Sequence, residues 1–418
     1  MTKRTFLKTL AATPLLTPAL GTLLDEGRAR PAYDVARDEA FWATIRQAYR
    51  IKPDYINLEN GYYCIQPEPV LNAFVQHVRD VNREGSYYMR TRQFDDKAAL
   101  RDHLARVAGC SPDELIITRN TTESIDTVVA GIDWRRGDEA IMATHDYGAM
   151  LDMFRLQARR YGIVNKVLSV PLHPASDEEI VALYERAITP KTRLLMVCHL
   201  VNITGQILPV KKIVDIAHRR GVEVLVDGAH AFAHLDFAIR DLGCDYYATS
   251  LHKWLSVPLG AGLLFVKKAK IPTLWPVFAD STFADDDIRK LNHTGTHPVH
   301  TDLAIADALD FHEKIGIRAK EARLRYLQEY WTRPLRTQPR IRLNTPAQPE
   351  RAGGIANVGI EGIAPVALAK TLLDQYKIWT VGIDNEAVQG VRITPNLYTS
   401  PTELDTFVAA LRTIASAR

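Results

Sequence analysis

Cysteine is scarce in this chain. The four that occur, Cys64, Cys110, Cys198 and Cys244, form no CxxC pair, and no Cys/His set has zinc-site spacing. Their spread defines no disulfide. Charge of one sign is also lacking: the formal net charge is +3, and no dense basic run occurs beyond the extreme N-terminus. That balance argues against nucleic acid as a partner. No GxGxxG follows a strand-like run, so a nicotinamide site is unsupported. Internal repeats and low-complexity segments are absent too.

What is present is an ordinary soluble composition, 46% apolar and 24% charged, over 418 residues. That length is too great for one ordinary core and predicts two domains, or one large domain with a satellite.

The first residues stand apart. Lys3-Arg4-Thr-Phe6-Leu7-Lys8 is basic, and a short apolar stretch to Leu24 follows, interrupted by Pro14 and Pro18. This is the layout of a cleavable export signal over residues 1–30. The stretch is too short, and too rich in Thr and Pro, for a membrane span, so no permanent anchor is expected. The basic segment resembles the twin-arginine signal, with lysine in place of the first arginine. Export by that machinery to the periplasm is the expectation, with the cytoplasm as the alternative if the segment is only a tail.

From residue 110 onward, short apolar runs alternate with helical stretches. Leu115–Thr118, Glu139–Ala143, Leu194–Cys198, Val222–Asp227, Tyr246–Thr249 and Gly262–Val266 read as strands. Alternation of this kind predicts an α/β fold with a mainly parallel sheet covered by helices on both faces. The near-continuous apolar run at Val222 suits a strand buried on both sides. One helix is expected over Asp34–Gln47, and one long helical stretch from Asp302 to Tyr330. The domain reading is an N-terminal segment over 31–75, a large domain over 76–305 and a smaller α+β domain over 306–418.

In open α/β sheets, functional groups collect at the carboxyl ends of the strands. Asp227 ends one strand. Asn120, Thr121 and Thr122 lie where another hands over to a helix, Asn202 follows a third, and Ser250 and His252 follow a fourth. Lys253 then sits in an apolar, hydroxyl-rich loop, an unusual place for a lysine without a partner. A desolvated lysine amine is a nucleophile toward aldehydes. Pyridoxal phosphate is the cofactor that needs a Schiff-base lysine, an acid for its pyridinium nitrogen and a phosphate cradle. Asp227 suits the second role, and the helix N-terminus at Thr121 and Thr122 suits the third. Taken singly, each residue has a plainer reading: a turn lysine, a helix cap, a core histidine at His230, a packed Tyr147, a surface ion pair at Arg392. His199, His293 and His297 read as structural.

Val226-Asp-Gly-Ala-His-Ala231, Thr249-Ser-Leu-His-Lys-Trp254 and Gly260-Ala-Gly262 together resemble the class V aminotransferase family of fold-type I pyridoxal phosphate enzymes, and within it the isopenicillin-N-epimerase-like subgroup. Asn120-Thr-Thr-Glu-Ser124, Asn202-Ile-Thr-Gly205, Gly295-Thr296 and Val391-Arg-Ile-Thr-Pro395 support the resemblance, which runs from about Asn57 to the C-terminus. With the export signal, the chain is also similar to the periplasmic enzymes that tailor pyoverdine siderophores.

The resemblance implies roles. Lys253 would carry the Schiff base and shuttle the Cα proton. Asp227 would pair with the ring nitrogen, and His230 would sit near the ring hydroxyl. Thr121, Thr122, Ser250 and His252 would hold the phosphate, and Tyr147 would stack on the ring. Thr296 would reach the neighbouring subunit of a homodimer. Arg392 would take the substrate carboxylate, Asn202 would lie near it or near the cofactor, and Asn60 and Gly61 would line the entrance. The implied activity is chemistry on the amino group of an amino acid or peptide-like metabolite, by amino-group transfer, with epimerisation or elimination as the alternatives and a non-catalytic binding protein disfavoured. Cysteine desulfurases carry a catalytic cysteine after the lysine. Here every cysteine precedes Lys253, which argues against persulfide chemistry. The Tyr and Arg residues of Tyr87–Arg92 fit either a substrate mouth or a polar helix end.

Overall fold

The structure, a computed structural model, describes residues 18–417. The basic segment Lys3–Lys8 and the apolar stretch up to residue 17 lie outside the described residues. The end of the expected signal, Pro18–Ala29, is a helix whose Leu24 is buried in the large core. No helix among the described residues is long and apolar enough to cross a membrane.

The strands in chain order are β1 (Ile56–Asn57), β2 (Leu115–Thr118), β3 (Glu139–Ala143), β4 (Val164–Leu168), β5 (Thr192–Cys198), β6 (Glu223–Asp227), β7 (Tyr246–Ser250), β8 (Gly262–Val266), β9 (Ile341–Leu343), β10 (Ala356–Ile360), β11 (Ile378–Trp379), β12 (Val381–Asp384) and β13 (Gln389–Ile393). Seven of them form the large sheet in the order β2-β8-β7-β6-β5-β3-β4. The pairs from β7 across to β4 are parallel, and β8 runs antiparallel to both of its neighbours. This is the fold-type I arrangement, mainly parallel and covered by helices.

Side-chain alternation explains why both faces are buried. Along β5, Leu195 and Val197 enter one core, while Leu194 and Met196 enter the other. Along β6, Val224 and Val226 face the first core and Leu225 the second. Strands flanked by apolar layers on both sides carry apolar residues at every position. β4 is different: it is an edge strand with partly exposed Asn165 and Lys166, and its mixed pattern gave no strand signal in the sequence.

A four-stranded antiparallel sheet, β12-β13-β10-β9, builds the smaller domain around its own core of Trp331, Val358, Val391 and Phe407. The N-terminal segment reaches it: β1 pairs in parallel with β11, and Arg46 forms an ion pair with Glu403 at 2.6 Å. Two expected helices are divided. Asp38 accepts from the Phe41 N–H and starts a new helix at Glu39, so Asp34–Gln47 becomes Ala32–Arg37 and Glu39–Arg46. Gly316, at φ 84°, splits the long stretch into Val299–Ile315 and Ile317–Thr332.

Candidate active site

The parallel strands end on one side of the large sheet, and the polar residues gather there. β6 delivers Asp227, which is 4% exposed; its Oδ1 accepts from the Ala229 N–H at 3.0 Å. β7 delivers Ser250, and the loop after it delivers Lys253. That loop is braced at several points. The Leu251 N–H donates to the Ala261 carbonyl, the Ser256 N–H donates to that of Lys253, and buried Lys320 donates to that of Trp254. Ser256 closes the turn at φ 60°, a left-handed conformation costly for a residue with a side chain.

Lys253 Nζ lies 2.9 Å from His230 Nε2, and the other ring nitrogen of His230 accepts from the Trp254 indole N–H at 3.3 Å. A neutral imidazole carries one proton. With Nδ1 accepting, that proton belongs on Nε2, which then donates to Lys253 as a neutral amine. The electrostatics agree. Burial, followed by Lys253 and Arg392, holds His230 well below the usual histidine range. Burial also draws the Lys253 amine down to about 8; Asp227 opposes that shift and Arg392 adds to it. Burial raises the Asp227 carboxyl, while its backbone hydrogen bond and Lys253 pull the other way. A ring cation beside Asp227 would favour its ionised form further.

The helix Thr121–Gly131 starts next to this cluster. Asn120 caps it through the Glu123 N–H at 2.9 Å. Ser250 Oγ accepts from the Thr121 N–H at 2.9 Å and lies 2.7 Å from Thr121 Oγ1. Two hydroxyls at a helix N-terminus suit a phosphate. Thr122 occupies the first turn, partly exposed. His252 stands beside Lys253, lowered to about 4 by burial and then by the lysine, and its Nδ1 is buried without a hydrogen-bond partner. Tyr147 precedes the helix Gly148–Tyr161 and is 48% exposed, an aromatic residue available to a planar partner. A Schiff-base amine, a buried acid, hydroxyls at a helix N-terminus and an exposed aromatic residue are the parts pyridoxal phosphate requires, and these residues fit it.

Arg392, on β13, comes from the smaller domain. Its guanidinium donates to Glu59 through Nε at 3.1 Å and Nη2 at 2.5 Å, and through Nη1 to the Asn202 carbonyl at 3.4 Å. Asn202 therefore meets Arg392 through its backbone. Gly61 lies against the same group: a Cβ there would come within 2.9 Å of Arg392 Cζ. In the Asn202–Gly205 turn, Gly205 has φ 74°, and a Cβ would fall 1.8 Å from the Ile355 carbonyl oxygen, so only glycine fits.

One expected placement differs. Asn60 does not line an entrance. It is fully buried, its Nδ2 donates to the Thr394 carbonyl at 2.7 Å, and its Oδ1 accepts from Tyr398 Oη at 2.6 Å. Every polar atom of its side chain is used to hold the 57–64 segment on the smaller domain. Thr296 is exposed in the loop before the helix Val299–Ile315 and joins none of the clustered residues of its own chain. In the 87–92 segment, Tyr88 is buried and donates to Asp96 at 2.9 Å, and Arg92 bonds Glu84, so these two serve the helix packing.

The chain has also been compared with known proteins. A family model described as Aminotransferase class-V matches residues 64–382. The chain belongs to the class V aminotransferase family. Among curated members, isopenicillin N epimerase from Streptomyces clavuligerus is 30% identical over 389 residues, 89% of this chain and 98% of the relative. That from Amycolatopsis lactamdurans is 28% identical, over 90% and 98%. A probable cysteine desulfurase from Halalkalibacterium halodurans is 29% identical over 76% of this chain and 80% of its own. Among solved structures, apo cysteine desulfurase from Thermococcus onnurineus NA1 superposes with a TM-score of 0.79 at 20% identity, covering 90% of this chain and 98% of that one. A C-DES variant with glycine covalently linked to its PLP cofactor gives 0.79 at 23% identity, over 88% and 98%. These structures share the fold, and membership of the class V family makes this chain a pyridoxal phosphate-dependent enzyme.

Four residues of this class V site carried no signal of their own in the sequence. Glu59 is the partner of Arg392. Lys320 is a buried lysine, drawn down to about 8 by burial. Asp146 accepts from the Ala143 N–H at 2.7 Å and is pushed up to about 8 by burial and, less, by Asp227. Trp254 shows in the sequence only as a neighbour of the lysine, yet it sets the His230 tautomer and packs tilted against His234, with ring centroids 4.1 Å apart.

Proposed function

We propose that this enzyme acts on the amino group of an amino acid or peptide-like metabolite by amino-group transfer. The observation that carries the reading is the Lys253 amine, drawn down to about 8 and held 2.9 Å from His230. When bound, pyridoxal phosphate supplies an aldehyde and a ring that withdraws electrons from the substrate's Cα. Thr121 and Ser250 would hold its phosphate end, Asp227 would pair with the ring nitrogen, and Tyr147 would cover a face. Arg392 orients the substrate through its carboxylate. Lys253 Nζ, drawn down to about 8 and so partly neutral near physiological pH, takes the Cα proton and returns it. One base suffices for transfer, because the same amine both removes and delivers the proton.

Epimerisation is the second reading, and it is favoured by the two relatives named isopenicillin N epimerase. It needs proton delivery from the opposite face and so a second acid. Persulfide chemistry is disfavoured: no cysteine follows Lys253, and burial pushes the nearby Cys64 thiol up to about 12. We further propose a homodimer in which exposed Thr296 reaches the partner's cofactor site, and export to the periplasm, supported by the basic and apolar layout of residues 3–24.

The test is incubation of the holoenzyme with a panel of amino acids in deuterated water. A 2-oxo product with loss of the visible cofactor band supports transfer. Deuterium at an inverted Cα without an oxo product makes the enzyme an epimerase. Size-exclusion chromatography with light scattering reads the dimer, and fractionation of cells carrying the full chain or one lacking residues 1–17 reads the export.

A further inference from the structure

The Arg392 guanidinium already has a carboxylate. Glu59 meets it fork to fork, at 2.5 and 3.1 Å, with the two side chains only 9% and 6% exposed. Glu59 is itself fixed. Its Oε1 also accepts from the Tyr62 N–H at 3.0 Å, its own N–H donates to Asn57 Oδ1 at 3.1 Å, and its backbone bridges to Thr394. Gly61 presses on the guanidinium from the same segment. A guanidinium has five N–H donors. Glu59 takes one from Nε and one from Nη2, and the Asn202 carbonyl takes one from Nη1. One donor on Nη1 and one on Nη2 remain, which is enough for a second carboxylate without displacing the first.

We infer that Glu59 is a standing counter-ion that sets how strongly Arg392 attracts the substrate carboxylate, so that recognition depends on the rest of the substrate. The inference rests on the reading of Arg392 as the carboxylate holder. A lone buried guanidinium would capture any small carboxylate-bearing amine, because an unpaired buried charge is costly. Paired with Glu59 it presents a dipole. An incoming carboxylate then gains hydrogen bonds but meets the repulsion of a fixed carboxylate close by. Small free amino acids gain little from such a site. A larger amine, peptide-like in size, supplies the missing affinity from its remaining contacts. Glu59 is thus a positioning residue that acts through Arg392 and tunes specificity.

Two hydroxylamine-type probes test this on the holoenzyme without knowledge of the substrate. Aminooxyacetate bears a carboxylate and methoxyamine does not, and both capture the bound cofactor with loss of its visible band. The ratio of their rate constants reads carboxylate attraction alone. In E59Q, which keeps an acceptor on Arg392 but removes the charge, the ratio should rise about tenfold. In E59D, which keeps the charge but shortens the reach, it should stay within about twofold of the unaltered enzyme, whereas a purely steric role for Glu59 would leave the isosteric E59Q unchanged and move E59D instead. If E59Q does not hold the cofactor, E59A serves instead: its ratio should also rise, and added formate, filling the carboxylate's place, should bring it back down. An unchanged or lower ratio in E59Q, with a fall in R392Q, overturns the role of Glu59 and leaves Arg392 in place. An unchanged ratio in R392Q overturns the carboxylate reading of Arg392 itself, and this inference with it.

Discussion

The imidazole of His230 lies between Trp254 and Lys253, accepting from the indole N–H at one nitrogen and facing Nζ at 2.9 Å with the other. Lys253 and Trp254 are adjacent in sequence, so the residue that follows the nucleophile fixes the protonation of the group beside it. The arrangement favours a neutral lysine, which both Schiff-base formation and Cα-proton removal require.

The first prediction concerns pH. The Lys253 amine is drawn down to about 8, so cofactor capture by the apoenzyme should accelerate as pH rises through that value and level off above it. Stopped-flow absorbance between pH 6.5 and 9.5 reads the profile. A profile still climbing at pH 9.5 would mean that Lys253 keeps an ordinary amine. K253A should bind the cofactor without the visible band and lose activity.

Asp227 should matter to chemistry more than to folding. D227N keeps an acceptor for the Ala229 N–H but cannot ionise. Loss of the charge that stabilises the electron-poor ring should lower kcat by about 100-fold or more, in the range seen when one preorganised electrostatic group is removed. Its melting temperature should stay close to that of the unaltered enzyme. A D227N enzyme with nearly full kcat would take Asp227 out of the ring-nitrogen role.

How much of this was legible in the sequence depends on the range of the contact. Asp227, His230 and Lys253 fall in short motifs, and strand runs such as Leu115–Thr118 stand at their expected limits, because two-sided burial writes itself into consecutive residues. The Arg392–Glu59 pair spans 333 positions and the Lys320–Trp254 bond spans 66. No local pattern announces either, since a surface ion pair and a buried one use the same letters. Asn60 misled for the same reason: its side chain is consumed by Thr394 and Tyr398, which only the fold brings near. Residues 1–17 carry the basic part of the expected export signal, and their reading stays at the level of the sequence.

Asn60 yields a stability prediction. N60A removes the acceptor of the Tyr398 hydroxyl, which keeps the Ile65 N–H, and the side-chain donor to the Thr394 carbonyl, both in a buried site. Leaving buried polar groups unpaired should cost about 2–4 kcal/mol. Urea denaturation of the apoenzyme reads the loss. A cost below about 1 kcal/mol would show that water or a rearranged side chain replaces the amide.

Asp146 yields the last, through proton linkage. Its carboxyl is pushed up to about 8 in the folded chain from an ordinary value of 3.8, by burial first and by Asp227 second. A raised carboxyl binds its proton more tightly in the native state than in the unfolded one between those two values. Stability from this group is therefore fully present below about pH 4 and is lost as pH rises toward 8. D146N, which keeps an acceptor for the Ala143 N–H and never ionises, should remove that loss. The melting temperature of the D146N apoenzyme should fall less steeply from pH 5 to pH 8 than that of the unaltered chain, with the gap widest at the alkaline end. Parallel curves for the two proteins would mean that Asp146 is ionised in the fold at neutral pH, and that its neighbour Asp227 carries its charge beside a second one.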